Sequence, residues 1–162
     1  MKGFDIPKVS HGGTVKSVRR RCRPGILDFS ASLNPFPPAV SWTPDAVDCT
    51  CYPDDRYEEL RDAIASTFGR APDEVCVGNG SIELIRTFCS AVLAGGDAVR
   101  IDQPTFGEYA YSALLAGARV TENDDTATVR FICNPNNPTG ALISRSGISG
   151  IVDDAAARHQ RV

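Results

Sequence analysis

The sequence has no strong excess of charge of either sign and no long apolar run. Its 162 residues carry 17 Lys and Arg against 20 Asp and Glu, a formal net charge of −3. Such a balance produces no basic field that would attract nucleic acid or an anionic membrane. The apolar runs are too short to span a bilayer, and residues 1–5 do not begin a signal peptide. We therefore expect a cytoplasmic protein that binds neither nucleic acid nor membrane.

The sequence also lacks the spacing of a zinc site. Of its six cysteines only Cys49 and Cys51 lie close together, and no second Cys or His pair follows at ligand spacing. We predict no metal site. Cys76 and Cys133 fall in apparent strands and Cys89 on an apolar helix face, so we expect these three to be reduced and buried.

Regular structure is expected only from residue 53 onward. Residues 1–52 have no long apolar periodicity and predict an irregular arm. From residue 53, helices alternate with short apolar strands, which predicts a three-layer α/β/α domain with a mostly parallel sheet. The expected elements are a helix capped by Asp54 or Asp55 with a stripe of Tyr57, Leu60, Ile64 and Phe68, strands at 74–77, 98–101 and 128–132, helices at 82–92 and around 110–114, and a helix capped by Ser144.

Three polar or aromatic segments follow the predicted strands, at residues 78–81, 104–106 and 134–138. Ligands of open parallel sheets bind at the carboxyl ends of the strands, so the segments are expected to converge. The first segment, GNGS, precedes a helix. It suits either a phosphate held by backbone N–H groups or a plain turn with Ser81 as a helix cap. Glu83 replaces the third glycine of a dinucleotide fingerprint, and a P-loop lysine is missing.

The segment at residues 134–140 is more specific, because two prolines constrain three asparagines at a strand end. Such a turn can hold an amide where it hydrogen-bonds a ring oxygen. Phe106, after the neighbouring strand, suits either stacking on a flat ligand ring or ordinary core packing.

Together these segments resemble the class I and II aminotransferases, enzymes that use pyridoxal 5'-phosphate (PLP). The resemblance rests on three motifs in the family's order, GNGSIEL at residues 78–84, PTFGEY at 104–109 and CNPNNPTG at 133–140. It implies that residues 53–162 are the first half of a PLP-binding major domain. It further implies that Asn137 bonds the phenolic oxygen of PLP, that Phe106 stacks on its ring, and that Asn79, Gly80 and Ser81 hold its phosphate.

The arm adds residues that narrow the resemblance. Tyr52, in CYPD at 51–54, would reach the phosphate of a neighbouring subunit's PLP in a homodimer. HGG at 11–13 and DFSASLNP at 28–35 resemble threonine-phosphate decarboxylase of cobalamin biosynthesis. By that resemblance His11, Gly12 and Asn34 would contact a phosphorylated amino-acid substrate. Histidinol-phosphate aminotransferase, which shares the later motifs, is the alternative.

The chain is short of lysine, which matters because these enzymes bind PLP covalently through one. Lys2, Lys8 and Lys16 are the only three, and the family places its lysine after the segment at 134–140. The acid that pairs with the pyridine nitrogen is also missing. We therefore expect an N-terminal half without catalytic residues, inactive alone. A phosphate-binding remnant, and an unrelated nucleotide-binding α/β protein, are the other readings.

Overall fold

The computed structural model describes residues 6, 7, 9, 11, 34, 36, 38–41, 43, 45 and 50–162. The chain divides into two compact units, one of Ser10–Val77 and one of Met1–Val9 with Gly78–Val162. Among the helices of the described residues, none is both long and apolar enough to cross a membrane.

Among its described residues, the unit of Ser10–Val77 contains one α-helix, α1, at Glu58–Phe68. The capping position is Tyr57, which makes no side-chain cap hydrogen bond, so the prediction of Asp54 or Asp55 as the cap is wrong. The Asp54 carboxylate instead accepts the N–H groups of Arg56 and of Glu58, the first helical residue, both at 2.9 Å. The apolar stripe of α1 stays largely solvent-exposed within the described chain. Leu60 is 47% and Phe68 72% exposed, and Ala65 is the buried residue of the helix.

The strand predicted at 74–77 is wrong. A short 3₁₀ turn occupies Pro72–Glu74, and residues 75–77 form no ladder. Its local hydrogen bonds, from Glu74 N–H to Ala71 O and from Val75 N–H to Pro72 O, use backbone groups that a sheet would need. The burial predicted for Cys76 is accordingly also wrong, because its side chain is exposed.

The unit that includes Gly78–Val162 is an α/β structure whose sheet is parallel, as predicted. Strand β1 (Ala98–Ile101) lies in the middle, with β2 (Arg119–Thr121) and β3 (Val129–Phe131) paired parallel on either side. The register places Val99 opposite both Val120 and Val129. The elements are α2 (Ser81–Val92), β1 (Ala98–Ile101), α3 (Glu108–Leu115), β2 (Arg119–Thr121), β3 (Val129–Phe131) and α4 (Arg145–Ala157).

The core lies between α2, α3 and one face of the sheet. Val99, Ile101 and Val129 are at most 1% exposed and pack with Ala113 of α3. Burial of such side chains contributes about 1.5–3 kcal/mol each. Cys89 is buried on α2, as predicted. The core fixes the ends of β1 and β3 side by side, and these ends position the candidate site.

The carboxyl-terminal residues continue the sheet beyond β3. Arg130 N–H donates to Arg161 O at 2.8 Å, and Arg161 N–H donates to Thr128 O at 3.0 Å, forming a parallel bridge. The buried Gln160 amide anchors this segment by donating to Ala127 O at 3.0 Å. Helix α4 starts at its predicted cap, with the Ser144 hydroxyl accepting Gly147 N–H at 3.2 Å.

Candidate functional site

A cleft of about 220 Å³ opens where β1 and β3 end. The two strands are parallel neighbours, so the loops that follow them emerge at the same edge of the sheet. This brings the segment after β1 together with the asparagine-proline loop after β3, as predicted. The cleft is lined by Asp102, Gln103, Pro104, Thr105, Phe131, Ile132, Cys133, Asn136, Thr139, Ala141 and Ile143.

Asn136 fastens the two loops to each other. Its Oδ1 accepts the Thr105 hydroxyl at 2.7 Å, and its Nδ2 donates to Pro104 O at 2.9 Å. The same Nδ2 donates to the Thr139 hydroxyl at 2.8 Å. The side chain therefore links segments about thirty residues apart and has a structural function.

The side chains of the other two asparagines of the loop differ in their hydrogen bonding. The Asn134 amide is used twice by Ile143, accepting its N–H at 2.9 Å and donating to its carbonyl at 3.1 Å. The Asn137 side chain is exposed, and its amide has no hydrogen-bond partner among the residues that the structure describes. Two of the three amides thus build the loop, and the third is available to a ligand.

Aromatic rings pack against Phe131, which lines the cleft. Tyr109 stacks on Phe131 with centroids 4.8 Å apart and planes at 14°. Phe106 meets Tyr109 edge to face at 5.6 Å. Burial, and next the neighbouring Cys133, raise the pKa of Tyr109 to about 12. Phe106 is half-buried beside Thr105 in the chain, but it is not among the residues that line the cleft.

Cys133 follows β3 and takes part in the loop through its sulfur. Its Sγ accepts the Asn137 N–H at 3.3 Å and donates to Pro135 O at 3.5 Å. The side chain is half-buried. Because β3 ends at Phe131, the prediction that Cys133 lies in a strand is wrong, and its predicted burial is only partial.

Asp102 brings charge to the cleft. Its carboxylate accepts from Arg100 Nε and from an Arg130 guanidinium nitrogen, both at 3.0 Å. Partial burial raises the pKa of Asp102, but the two arginine hydrogen bonds outweigh it and hold the value below the usual range. Asp102 therefore contributes a negatively charged carboxylate to the lining of the cleft at neutral pH.

The turn before α2 has a backbone that favours glycine. Gly80 has φ +85° and ψ 169°, which a side chain rarely adopts. The Glu83 carboxylate accepts the Asn79 N–H. Ser81 is the first helical residue and Gly80 takes the capping position, so the alternative of Ser81 as a helix cap is wrong. The first N–H groups of a helix have no acceptor within it and face an incoming anion.

The predicted site residues are distributed over both units. Asn79, Gly80, Ser81, Phe106 and Asn137 belong to the unit of the cleft, although none of these five residues is among those that line it. His11, Asn34 and Tyr52 are exposed residues of the other unit. Gly12 and all three lysines lie outside the described residues.

Sequence reasoning missed three residues of the site. Asp102 and Asn136 were not distinguished from their neighbours, and Glu83 was noted only as a failed glycine. Asn136 could have been suspected because a loop with three amides needs internal partners. Asp102 offered no signal, because its arginines come from two strands. Among the described residues, no group of three or more His, Cys, Asp or Glu could hold a metal.

Similar proteins agree with this architecture. Residues 25–162 match the family model for aminotransferase class I and II. The histidinol-phosphate aminotransferase of Halalkalibacterium halodurans is 30% identical over 160 residues, covering 86% of this chain and 43% of the relative. The chain thus spans less than half the length of that relative.

Two solved structures share the fold. Histidinol-phosphate aminotransferase from Sinorhizobium meliloti, solved with pyridoxal-5'-phosphate, superposes with a TM-score of 0.59 at 20% identity, over 64% of this chain and 33% of that one. L-threonine-O-3-phosphate decarboxylase from Porphyromonas gingivalis gives 0.56 at 23% identity, over 65% and 36%. These likenesses show the fold, and the family-model match over residues 25–162 establishes that the chain belongs to the aminotransferase class I and II family.

Proposed function

We propose that this chain carries a PLP-recognition site and that the protein acts on a phosphorylated amino acid. One observation carries the first part. The loop after β3 uses the amides of Asn134 and Asn136 to build itself and leaves that of Asn137 without a partner among the described residues. An amide held at the end of a rigid loop is the group needed to donate to the phenolic oxygen of PLP.

The remaining groups suit PLP in their chemistry. Asn79 and Gly80 precede Ser81, the first residue of α2, where the positive end of the helix dipole would attract the phosphate of PLP. The N–H groups of Asn79 and Gly80 bond Glu83 and Gly78 within the turn, so Ser81 would supply the donors. Phe106 offers an aromatic ring for stacking on the pyridine. When bound, PLP supplies an electron sink for charge developing at the substrate's Cα. In this half of the site the residues of the chain would bind PLP and orient it.

The arm would supply the substrate and partner contacts. His11, Gly12 and Asn34 would hold a phosphorylated amino acid, and Tyr52 would reach the PLP phosphate of the second subunit in a cytoplasmic homodimer. These assignments follow from the motifs at 11–13, 28–35 and 51–54. They favour decarboxylation like that of threonine-phosphate decarboxylase, whose solved example shares the fold.

Amino transfer on a histidinol-phosphate-like substrate is the second candidate. Its support is that two histidinol-phosphate aminotransferases are 30% and 35% identical to this chain over the residues matched. The two reactions differ in which bond at Cα stands perpendicular to the pyridine plane, the carboxyl bond or the C–H bond. The two candidate substrates are distinguished by measuring the dissociation constants of their reduced conjugates with PLP (phosphopyridoxyl conjugates). Tighter binding of the O-phosphothreonine conjugate than of the histidinol phosphate conjugate supports decarboxylation, and the reverse order supports transfer.

The cofactor assignment is tested by equilibrium dialysis of PLP with the wild type and Asn137→Ala. Loss of one hydrogen bond should weaken binding about 3- to 10-fold. Asn123→Ala is the matched control, because the Asn123 side chain accepts from Asp125 N–H in a turn outside the cleft lining. Equal affinities for all three proteins would contradict the assignment. Binding of phosphate alone, without preference for the pyridine ring, would favour the remnant reading.

A further inference from the structure

The loop after β3 is organised around the sulfur of Cys133. The thiol donates to Pro135 O at 3.5 Å, and the same sulfur accepts the Asn137 N–H at 3.3 Å. Both ends of the short segment 135–137 are therefore tied to one atom. The hydrogen bond from the Asn137 N–H to the sulfur therefore fixes the orientation of the backbone that carries the Asn137 side chain.

The sulfur is itself held by the core of the unit. Cys133 is two residues past the end of β3, and the Tyr109 hydroxyl interacts with its side chain. The Tyr109 ring stacks on Phe131 of β3 at 4.8 Å, and Phe131 meets Phe88 of α2 edge to face at 5.8 Å. A chain of packed rings thus connects the loop to the sheet and to helix α2.

Asn134 and Asn136 fix the rest of the loop but do not reach the Asn137 backbone. Asn134 bonds Ile143, and Asn136 bonds Thr105, Pro104 and Thr139 through its side chain. The Asn137 N–H has the Cys133 sulfur as its acceptor. Displacing a recognition group by a fraction of an ångström weakens the geometry that ligand binding needs.

We propose that Cys133 is a positioning residue, whose sulfur holds the Asn137 backbone so that the free amide is aimed at the ring oxygen of the bound ligand. This inference rests on the proposed function for its ligand, but the hydrogen bond that it requires exists without any ligand. The two can therefore fail separately.

Two variants of Cys133 separate the hydrogen bond from the volume of the side chain. Cys133→Val keeps an apolar side chain of similar size and removes the acceptor. Cys133→Ser keeps a donor and an acceptor with a shorter reach. Cys76→Val is the matched control, because Cys76 is an exposed thiol of the other unit.

The first measurement is amide hydrogen exchange at Asn137 by NMR, without ligand. We expect exchange about 3- to 10-fold faster in Cys133→Val, a smaller change in Cys133→Ser and none in Cys76→Val. Unchanged exchange at Asn137 in Cys133→Val would overturn the proposal, whatever the protein binds.

The second measurement compares the dissociation constants of PLP and of its analogue lacking the ring 3-hydroxyl. Cys133→Val should weaken PLP about 3- to 10-fold and leave the analogue nearly unchanged. Combined with Asn137→Ala, it should add no further loss, because both act on one contact. Equal weakening of both ligands would show a merely structural role and contradict the inference. A wild type that does not distinguish the ligands would instead defeat the proposed function, and the exchange result would still decide whether the sulfur holds the loop.

Discussion

The loop at residues 134–143 and the turn at residues 78–81 reach their conformations by different means. The loop depends on partners far away in the chain, since Asn136 bonds Pro104 and Thr105, about thirty residues earlier. The turn is local, with Gly80 N–H donating to Gly78 O at 2.9 Å and Glu83 binding Asn79 N–H. The loop therefore requires the folded sheet, whereas the turn is specified by its own residues.

The largest expected effect comes from removing the hydrogen bonds that join the loop to Pro104 and Thr105, in the segment after β1. Asn136→Ala removes three side-chain hydrogen bonds and leaves their partners to find new ones. We expect the free energy of unfolding to fall by about 2–4 kcal/mol, measured by urea titration. Asn123→Ala, which removes one exposed hydrogen bond, should cost less than about 1 kcal/mol. Similar losses in the two variants would mean that the loop is held by something else.

The local character of the turn is tested by a single methyl group. A Cβ at Gly80 would meet no atom within 4 Å, so Gly80→Ala acts through its φ of +85° alone. The expected cost is about 1–3 kcal/mol in thermal or urea unfolding. Gly95→Ala is the matched control, because a Cβ there would also be free of contacts and the φ of Gly95 is not positive. If the two alanine variants were equally stable, the turn would not be set by its glycine.

A smaller effect, visible only at high pH, concerns the ring beneath the loop. The pKa of Tyr109 is raised from 10.0 to about 12, first by burial and then by Cys133. The folded state thus favours the neutral phenol. Its stabilising effect is complete below pH 10 and is lost as the pH rises from 10 to 12. Unfolding of the wild type and Tyr109→Phe followed over this range should show the wild type losing more stability; parallel curves would contradict the assignment.

The sequence predicted well what depends on local pattern. Strands β1 and β3, helices α2 to α4 and the Ser144 cap all follow from periodicity and capping chemistry. It failed at 74–77, where an apolar segment without a paired strand gave way to the local hydrogen bonds of a 3₁₀ turn. In the site, too, local features were predictable and features that depend on tertiary contacts were not. The motifs identified the segments, but Asp102 between Arg100 and Arg130, and the sulfur of Cys133, depend on contacts made only after folding.

The most direct test of the central claim is an NMR titration of the labelled protein with PLP. We expect the largest amide shifts at Asn137, Cys133 and Thr105, with further shifts at Gly80 and Ser81. In Asn137→Ala the same shifts at Cys133 and Thr105 should require about 3- to 10-fold more PLP. Shifts confined to residues 10–77 with no change at Asn137 would contradict a PLP site built on the loop after β3.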